Sequence, residues 1–180
     1  MKNITVENLS AKIKSVIRDV PDFPKQGIIF KDITPFLNNP EIFSETVRFI
    51  ADKYKNRGVS KVLGIEARGF ILAAPIALEL KAGFVPVRKK GKLPYKTVSG
   101  TYDLEYGQDT LQLHEDAVKK GEKILIIDDV LATGGTAKCA CRMAEKLGAE
   151  IESIAMLIEL EFLKGREKLQ NYDLFSLVKY

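Results

Sequence analysis

Two adjacent carboxylates followed by a run of small residues form the segment richest in chemistry. In Ile124-Leu125-Ile126-Ile127-Asp128-Asp129-Val130-Leu131-Ala132-Thr133-Gly134-Gly135-Thr136 an apolar stretch delivers two acids, then a Gly/Thr loop. The apolar stretch reads as a buried strand, and ligands of open α/β sheets sit beyond the carboxyl ends of strands. The loop Ala132 to Thr136 offers consecutive backbone N–H groups, two hydroxyls and the start of a helix, a set suited to a phosphate. Glycines let the backbone approach where a Cβ would collide. Ionised carboxylates only accept hydrogen bonds, so Asp128 and Asp129 suit sugar hydroxyls rather than phosphate. The combination points to a phosphorylated sugar, held by its hydroxyls on the acids and by its phosphate on the loop. A plain strand–turn–helix, with Asp and Thr as turn and cap residues, is the competing reading. Neither a Walker pattern nor G-x-G-x-x-G is present, so a nucleoside triphosphate or dinucleotide site loses its main support.

Other candidates are more ambiguous by themselves. Arg88, Lys89, Lys90 and Lys92 crowd four cations into five positions. They could be a solvated loop, or a clamp for a pyrophosphate whose charge needs several donors. Nucleic-acid contact is the weakest reading, because no aromatic residues interleave with the cluster. Arg68, beside Glu66 and Gly69, could form a surface ion pair or touch an anion. Cys139 and Cys141 are neither a disulfide framework nor a zinc set, and read as buried thiols packed as small hydrophobes. With His114 as the single histidine, a multi-histidine metal site is excluded.

The elements that must carry these residues follow from periodicity. Val6, Leu9, Ile13, Val16 and Ile17 predict an amphipathic helix over 6–18. Pro21 and Pro24 break regularity before a short extended piece at Ile28-Ile29-Phe30. Asn39 as N-cap and Pro40 at the first helical position announce a second helix, with the stripe Phe43, Val47, Ile50 and Tyr54 and a stop at Gly58. Strands at 61–65, 83–87, 124–127 and 151–158 alternate with helices at 69–80, where Pro75 predicts a kink, and at 136–147, ended by Gly148. Short, almost uniformly apolar strands separated by helices imply parallel β-α-β units covered on both faces. Residues 94–114 instead alternate in period two and predict an antiparallel excursion.

Composition agrees with such a domain. The chain has 180 residues, 46% hydrophobic and 29% charged, with a net charge of +4, which fits one ordinary globular domain over 1–180. That charge is too mild to imply a nucleic-acid partner. The longest apolar run is far short of the ~20 residues of a membrane span, and no secretory signal is visible, so the expectation is a cytoplasmic protein without membrane association.

The thirteen-residue run resembles the phosphoribosyl-pyrophosphate signature of the type I phosphoribosyltransferases. The resemblance extends, from about residue 20 to 180, to the adenine phosphoribosyltransferase branch of that family. Phe23-Pro24-Lys25-Gln26-Gly27-Ile28-Ile29-Phe30-Lys31-Asp32-Ile33 looks like its base-binding segment, and Glu66-Ala67-Arg68-Gly69-Phe70 like its pyrophosphate loop. Arg88-Lys89-Lys90-Gly91-Lys92-Leu93-Pro94 and Tyr102-Asp103-Leu104-Glu105-Tyr106-Gly107 look like its catalytic flap region. Glu159-Leu160 and Lys164-Gly165-Arg166-Glu167-Lys168-Leu169 match its carboxyl-terminal end. The implied fold is α/β: a central, mostly parallel sheet flanked by helices, a flexible β flap at roughly 90–112 and a small N-terminal hood, mainly 1–35.

The resemblance implies transfer of phosphoribosyl from phosphoribosyl pyrophosphate to adenine, giving AMP and pyrophosphate; another purine base such as xanthine or hypoxanthine, or a non-enzymatic phosphoribosyl sensor, are the alternatives. It assigns Asp128, Asp129, Ala132, Thr133, Gly134, Gly135 and Thr136 to the ribose phosphate. Glu66, Ala67, Arg68, Arg88, Lys89 and Lys92 go to pyrophosphate, Ile29, Phe30, Lys31 and Leu160 to adenine. Glu105 would manage the proton of the base, Arg68 would stabilise the departing charge, and Tyr106 would help close the flap. Mg²⁺ would ride on the substrate, with no direct protein ligands. A homodimer is implied, the Arg88 loop reaching into the neighbouring site, as is a non-proline cis peptide at Ala67–Arg68. Two departures stand out: Lys31 where arginine is common, which keeps the charge without the planar fork, and Tyr95-Lys96 where smaller residues are frequent.

Overall fold

In the computed structural model, which describes residues 5–103 and 107–180, the apolar periodicities become elements in the order expected. Helix α1 (Val6–Val16) starts where the Thr5 hydroxyl accepts the Asn8 N–H at 3.3 Å, and buries Leu9 and Ile13. It stops before residue 18 because β1 (Arg18–Pro21) pairs antiparallel with β2 (Ile29–Asp32). After the short α2 (Thr34–Leu37), the Asn39 side chain accepts the Ile42 N–H at 3.0 Å and opens α3 (Pro40–Tyr54). The N-cap reading of Asn39 and Pro40 therefore holds.

A seven-stranded sheet follows, built from β3 (Lys61–Ile65), β4 (Gly83–Lys89), β5 (Thr97–Asp103), β6 (Gln108–His114), β7 (Lys123–Leu131), β8 (Glu150–Glu159) and β9 (Leu174–Lys179). Their spatial order is β5-β6-β4-β3-β7-β8-β9. Strands β4, β3, β7, β8 and β9 run parallel, while β6 is antiparallel to both β4 and β5. The excursion predicted at 94–114 is this β5–β6 pair. Helix α4 (Gly69–Leu80) joins β3 to β4, and α5 (Gly135–Lys146) joins β7 to β8. Helix α4 is continuous in spite of Pro75.

Alternation along the strands sends side chains to two faces. Leu63, Ile65, Ile124 and Ile126 pack with Cys139, Ala140, Met143 and Ala144 of α5 in one core. On the other face Gly64 lies against Ala73 and Phe70 of α4 and against Phe84 of β4, with no room for a Cβ. The β3-to-β4 and β7-to-β8 connections leave the sheet in opposite directions, so β3 and β7 meet at a topological switch point, where α/β sheets open a crevice. Cys139 and Cys141 are free thiols and buried, as their packing role required; burial pushes the Cys141 thiol up to about 12.

The described residues fall into two compact units, one up to Phe49 and one from Ile50 onward. Among the described residues no helix is long and apolar enough to cross a membrane.

Candidate active site

The carboxyl ends of β4, β3 and β7 lie side by side, with Val87 opposite Ile65 and Gly64 opposite Ile127. At or just beyond these ends stand the residues singled out in the sequence: Arg88 and Lys89, Glu66 to Arg68, and Asp128 to Thr136. The sheet order, rather than proximity in sequence, gathers them.

Beyond β7 a cavity of about 220 Å³ is lined by Asp128, Ala132, Thr133, Gly134 and Thr136, with Met156 from β8. Gly134 caps α5 at φ +77°, and a Cβ there would collide with the Gly165 carbonyl. Glycine is thus required twice, for the left-handed backbone and for the close crossing of the carboxyl-terminal segment. Lys138 N–H bonds to the Gly134 carbonyl at 3.1 Å, which makes it the start of the helical ladder and leaves the amides before it without intrahelical acceptors.

Asp129 is buried and Asp128 half-buried. The Asp128 Oδ1 accepts the Asp129 N–H at 2.9 Å. Loss of hydration, and then the neighbouring Asp129 charge, hold the Asp128 carboxyl well above the usual carboxylate range. Burial raises Asp129 as well, against the opposing pull of the Arg68 guanidinium. Arg68 Nε lies 2.7 Å from Asp129 Oδ2, a contact of charges rather than an aligned hydrogen bond. Two like charges under partial desolvation make a site that gains from hydroxyl donors.

The peptide loop after β3 is organised by Glu66. Its carboxylate accepts the Lys89 N–H at 2.9 Å and the Arg88 Nε at 3.3 Å. Burial alone would raise the Glu66 carboxyl; these donors outweigh it and lower the pKa. Arg88 also donates to the Lys92 carbonyl at 3.1 Å, and Lys89 Nζ lies 3.1 Å from Asp109 of β6. The Glu66 carboxylate thus ties the loop after β3 to the Arg88 side chain and the Lys89 backbone.

The phosphoribosyl transferase domain family matches residues 32–178. An adenine phosphoribosyltransferase of Clostridium novyi is 56% identical over 168 residues, covering 93% of this chain and 98% of its own. The chain belongs to the phosphoribosyltransferase family, in its adenine phosphoribosyltransferase branch. The Thermoanaerobacter pseudethanolicus adenine phosphoribosyltransferase superposes with a TM-score of 0.91 at 48% identity, covering 98% of this chain and 100% of that one. The Saccharomyces cerevisiae adenine phosphoribosyltransferase, complexed with an imino-altritol bisphosphate and adenine, gives 0.90 at 36% identity, covering 95% and 99%.

In this phosphoribosyltransferase the non-proline cis peptide is Glu66–Ala67, not Ala67–Arg68. The reason is where the helix begins. The Ala67 and Arg68 carbonyls already accept the Phe70 and Ile71 N–H groups, so the chain from Ala67 onward has the turn of α4, and the reversal falls one bond earlier. Glu105 and Tyr106 lie outside the described residues. On the first unit, Ile29 is exposed, Phe30 meets Phe23 edge-on at 5.2 Å, and Lys31 Nζ bonds to Asp19 at 2.7 Å across the β1–β2 pair. On the second unit, half-buried Leu160 donates its N–H to the Leu131 carbonyl at 3.0 Å.

Two supporting residues carry no spacing signal of their own. Gly165 packs on the Ala132 carbonyl and the Gly134 N–H, with no space for a side chain. A Cβ at Gly69 would stand 2.8 Å from Asp128 Oδ1 and 3.0 Å from the Ile127 carbonyl. Both glycines shape the cradle through contact rather than chemistry.

Proposed function

We propose that the chain joins adenine to phosphoribosyl pyrophosphate, forming AMP and pyrophosphate. The observation that carries this reading is Asp128 and the phosphate loop sharing one cavity, with Arg68 held against the adjoining Asp129. The 5′-phosphate sits on the Ala132 to Thr136 loop and the ribose hydroxyls donate to Asp128 and Asp129. Pyrophosphate lies near Ala67, Arg68, Lys89 and Lys92. The bond from the anomeric carbon to pyrophosphate breaks, its electron pair leaving with pyrophosphate, and a bond from a ring nitrogen of adenine forms on the opposite face. Glu105 takes the proton that the base releases. Positioning and charge stabilisation supply the catalysis, with no covalent intermediate on the protein.

The acid pair fits a substrate-borne Mg²⁺, because hard carboxylate oxygens face the ribose hydroxyls on which the hydrated ion would ride. When bound, the ion offsets the charge of pyrophosphate. The candidates for the base are, on the first unit, apolar Ile29 and Phe30 with the backbone of Lys31, and, on the second unit, Leu160. We further propose a single functional domain working as a cytoplasmic homodimer, the Arg88 loop serving the neighbouring site. Ile71 and Leu78, seven residues apart on α4, and Phe84 of β4 are exposed apolar side chains, the kind of face a second copy covers. A panel of bases supplied with phosphoribosyl pyrophosphate tests the base assignment. Adenine should be used fastest; faster use of xanthine or hypoxanthine would overturn it.

A further inference from the structure

A second cavity, of about 380 Å³, lies between the flap strand β5 and helix α5 and shares no lining residue with the ribose cavity. Its cations are Lys138, Arg142 and Lys146, spaced four apart on one face of α5, and Lys168 from the 3-10 turn Gly165–Leu169. Among the described residues no acidic side chain lines it. Among the described residues none of the four cations forms an ion pair, although thirteen such pairs stabilise charges elsewhere in the chain.

This arrangement works against the fold on its own. Like charges at i and i+4 repel, and Lys138 stands in the first turn of α5, where the helix dipole already presents positive charge. The floor is different in character: buried Cys139 and Met143 are soft and apolar, and Gly100 of β5 sits so close to the Cys139 sulfur that no larger residue fits. Tyr102, on the same face of β5 as Gly100, adds a hydroxyl. Four unneutralised cations around an apolar floor, with the Tyr102 hydroxyl beside them, match a ligand that is a polyanion with a flat or apolar part.

We propose that this cavity is an anion site separate from the catalytic one, taking an oligophosphate chain, either free or carried by a nucleotide. The charge fits two or three phosphates, and the volume lies within the range of small-molecule sites. The site adjoins the catalytic one through Gly135, which lines the cavity and opens α5 at the phosphate loop.

The test is calorimetric titration of the full-length protein with inorganic tripolyphosphate, and separately with ATP and GTP, under saturating Mg²⁺ and phosphoribosyl pyrophosphate to fill the catalytic site. The proposal expects one further equivalent to bind. The R142A/K146A double variant should weaken that binding roughly tenfold or more, while its kcat for AMP formation without added oligophosphate stays near wild type. Lys168→Ala, on another element, should weaken binding in the same direction. Tighter binding of both nucleotides than of tripolyphosphate assigns the apolar floor to the base; equal binding assigns the site to the phosphate chain alone. Binding that vanishes when phosphoribosyl pyrophosphate is saturating, or that survives R142A/K146A unchanged in a protein with wild-type melting, overturns the proposal. Loss of AMP formation in the wild-type protein would instead overturn the catalytic reading, which keeps the two failures distinct.

Discussion

Replacing Asp128 by asparagine should move stability and activity in opposite directions. The Asp128 carboxyl is raised by loss of hydration and by the charge of Asp129. A carboxyl whose folded-state pKa exceeds its unfolded one contributes stability that is complete at low pH and lost as pH rises through the folded value. Above the ordinary carboxylate range Asp128 therefore costs the fold stability. Asparagine keeps an oxygen for the 2.9 Å bond from the Asp129 N–H and removes the charge. At pH 8 the variant should melt on the order of 2–5 °C above wild type, the gain shrinking as the pH is lowered. Catalysis should suffer, because two bonds from ribose hydroxyls lose their charge assistance. At about 1–1.5 kcal/mol each, that is roughly a 30- to 150-fold fall in kcat/KM. Melting curves from pH 5 to 8 and a steady-state assay of AMP formation check both parts. A variant that melts below wild type at pH 8, or keeps kcat/KM within twofold, would refute the reasoning.

Other substitutions probe the remaining parts of the site. Gly134→Ala forces a Cβ onto the Gly165 carbonyl at positive φ; Tm should fall by about 2–10 °C and the KM for phosphoribosyl pyrophosphate should rise at least tenfold, measured by initial rates. Glu66→Gln should release Arg88 and raise that KM several-fold while changing stability by less than ~1 kcal/mol. Because the Glu66 pKa is lowered, the stability it contributes is present above the ordinary carboxylate pKa and lost as pH falls through the folded value. Glu105→Ala should lose roughly 10²–10⁴-fold in kcat with an unchanged melting curve; near-wild-type turnover would remove Glu105 from proton transfer.

The chemistry was legible where it is local in sequence. The acids and the loop from Asp128 to Thr136 follow one strand without interruption, so periodicity placed them at a strand's carboxyl end. Pairs assembled by the sheet were not legible from spacing. Arg68 meets Asp129, and Glu66 meets Arg88, only because the order β4-β3-β7 sets three strand ends abreast. Strand β1 was missed because Arg18, Asp19, Val20 and Pro21 are mostly exposed and show no buried period. Strand β9 carries Leu174, Phe175, Leu177 and Val178, but it follows two 3-10 turns and a run of charges, without a preceding helix to mark a β-α-β unit. Gly165 illustrates a further limit, since its packing beneath Gly134 comes from a crossing of distant segments.

The central claim is the union of adenine with phosphoribosyl pyrophosphate at this acid-and-loop cavity. It is tested most directly by following both products, AMP and pyrophosphate, from purified protein, adenine, phosphoribosyl pyrophosphate and Mg²⁺. The account predicts equal amounts of the two, strict dependence on adenine, and loss of both in Asp128→Ala. Pyrophosphate without AMP, or AMP formation undiminished in Asp128→Ala, would contradict it.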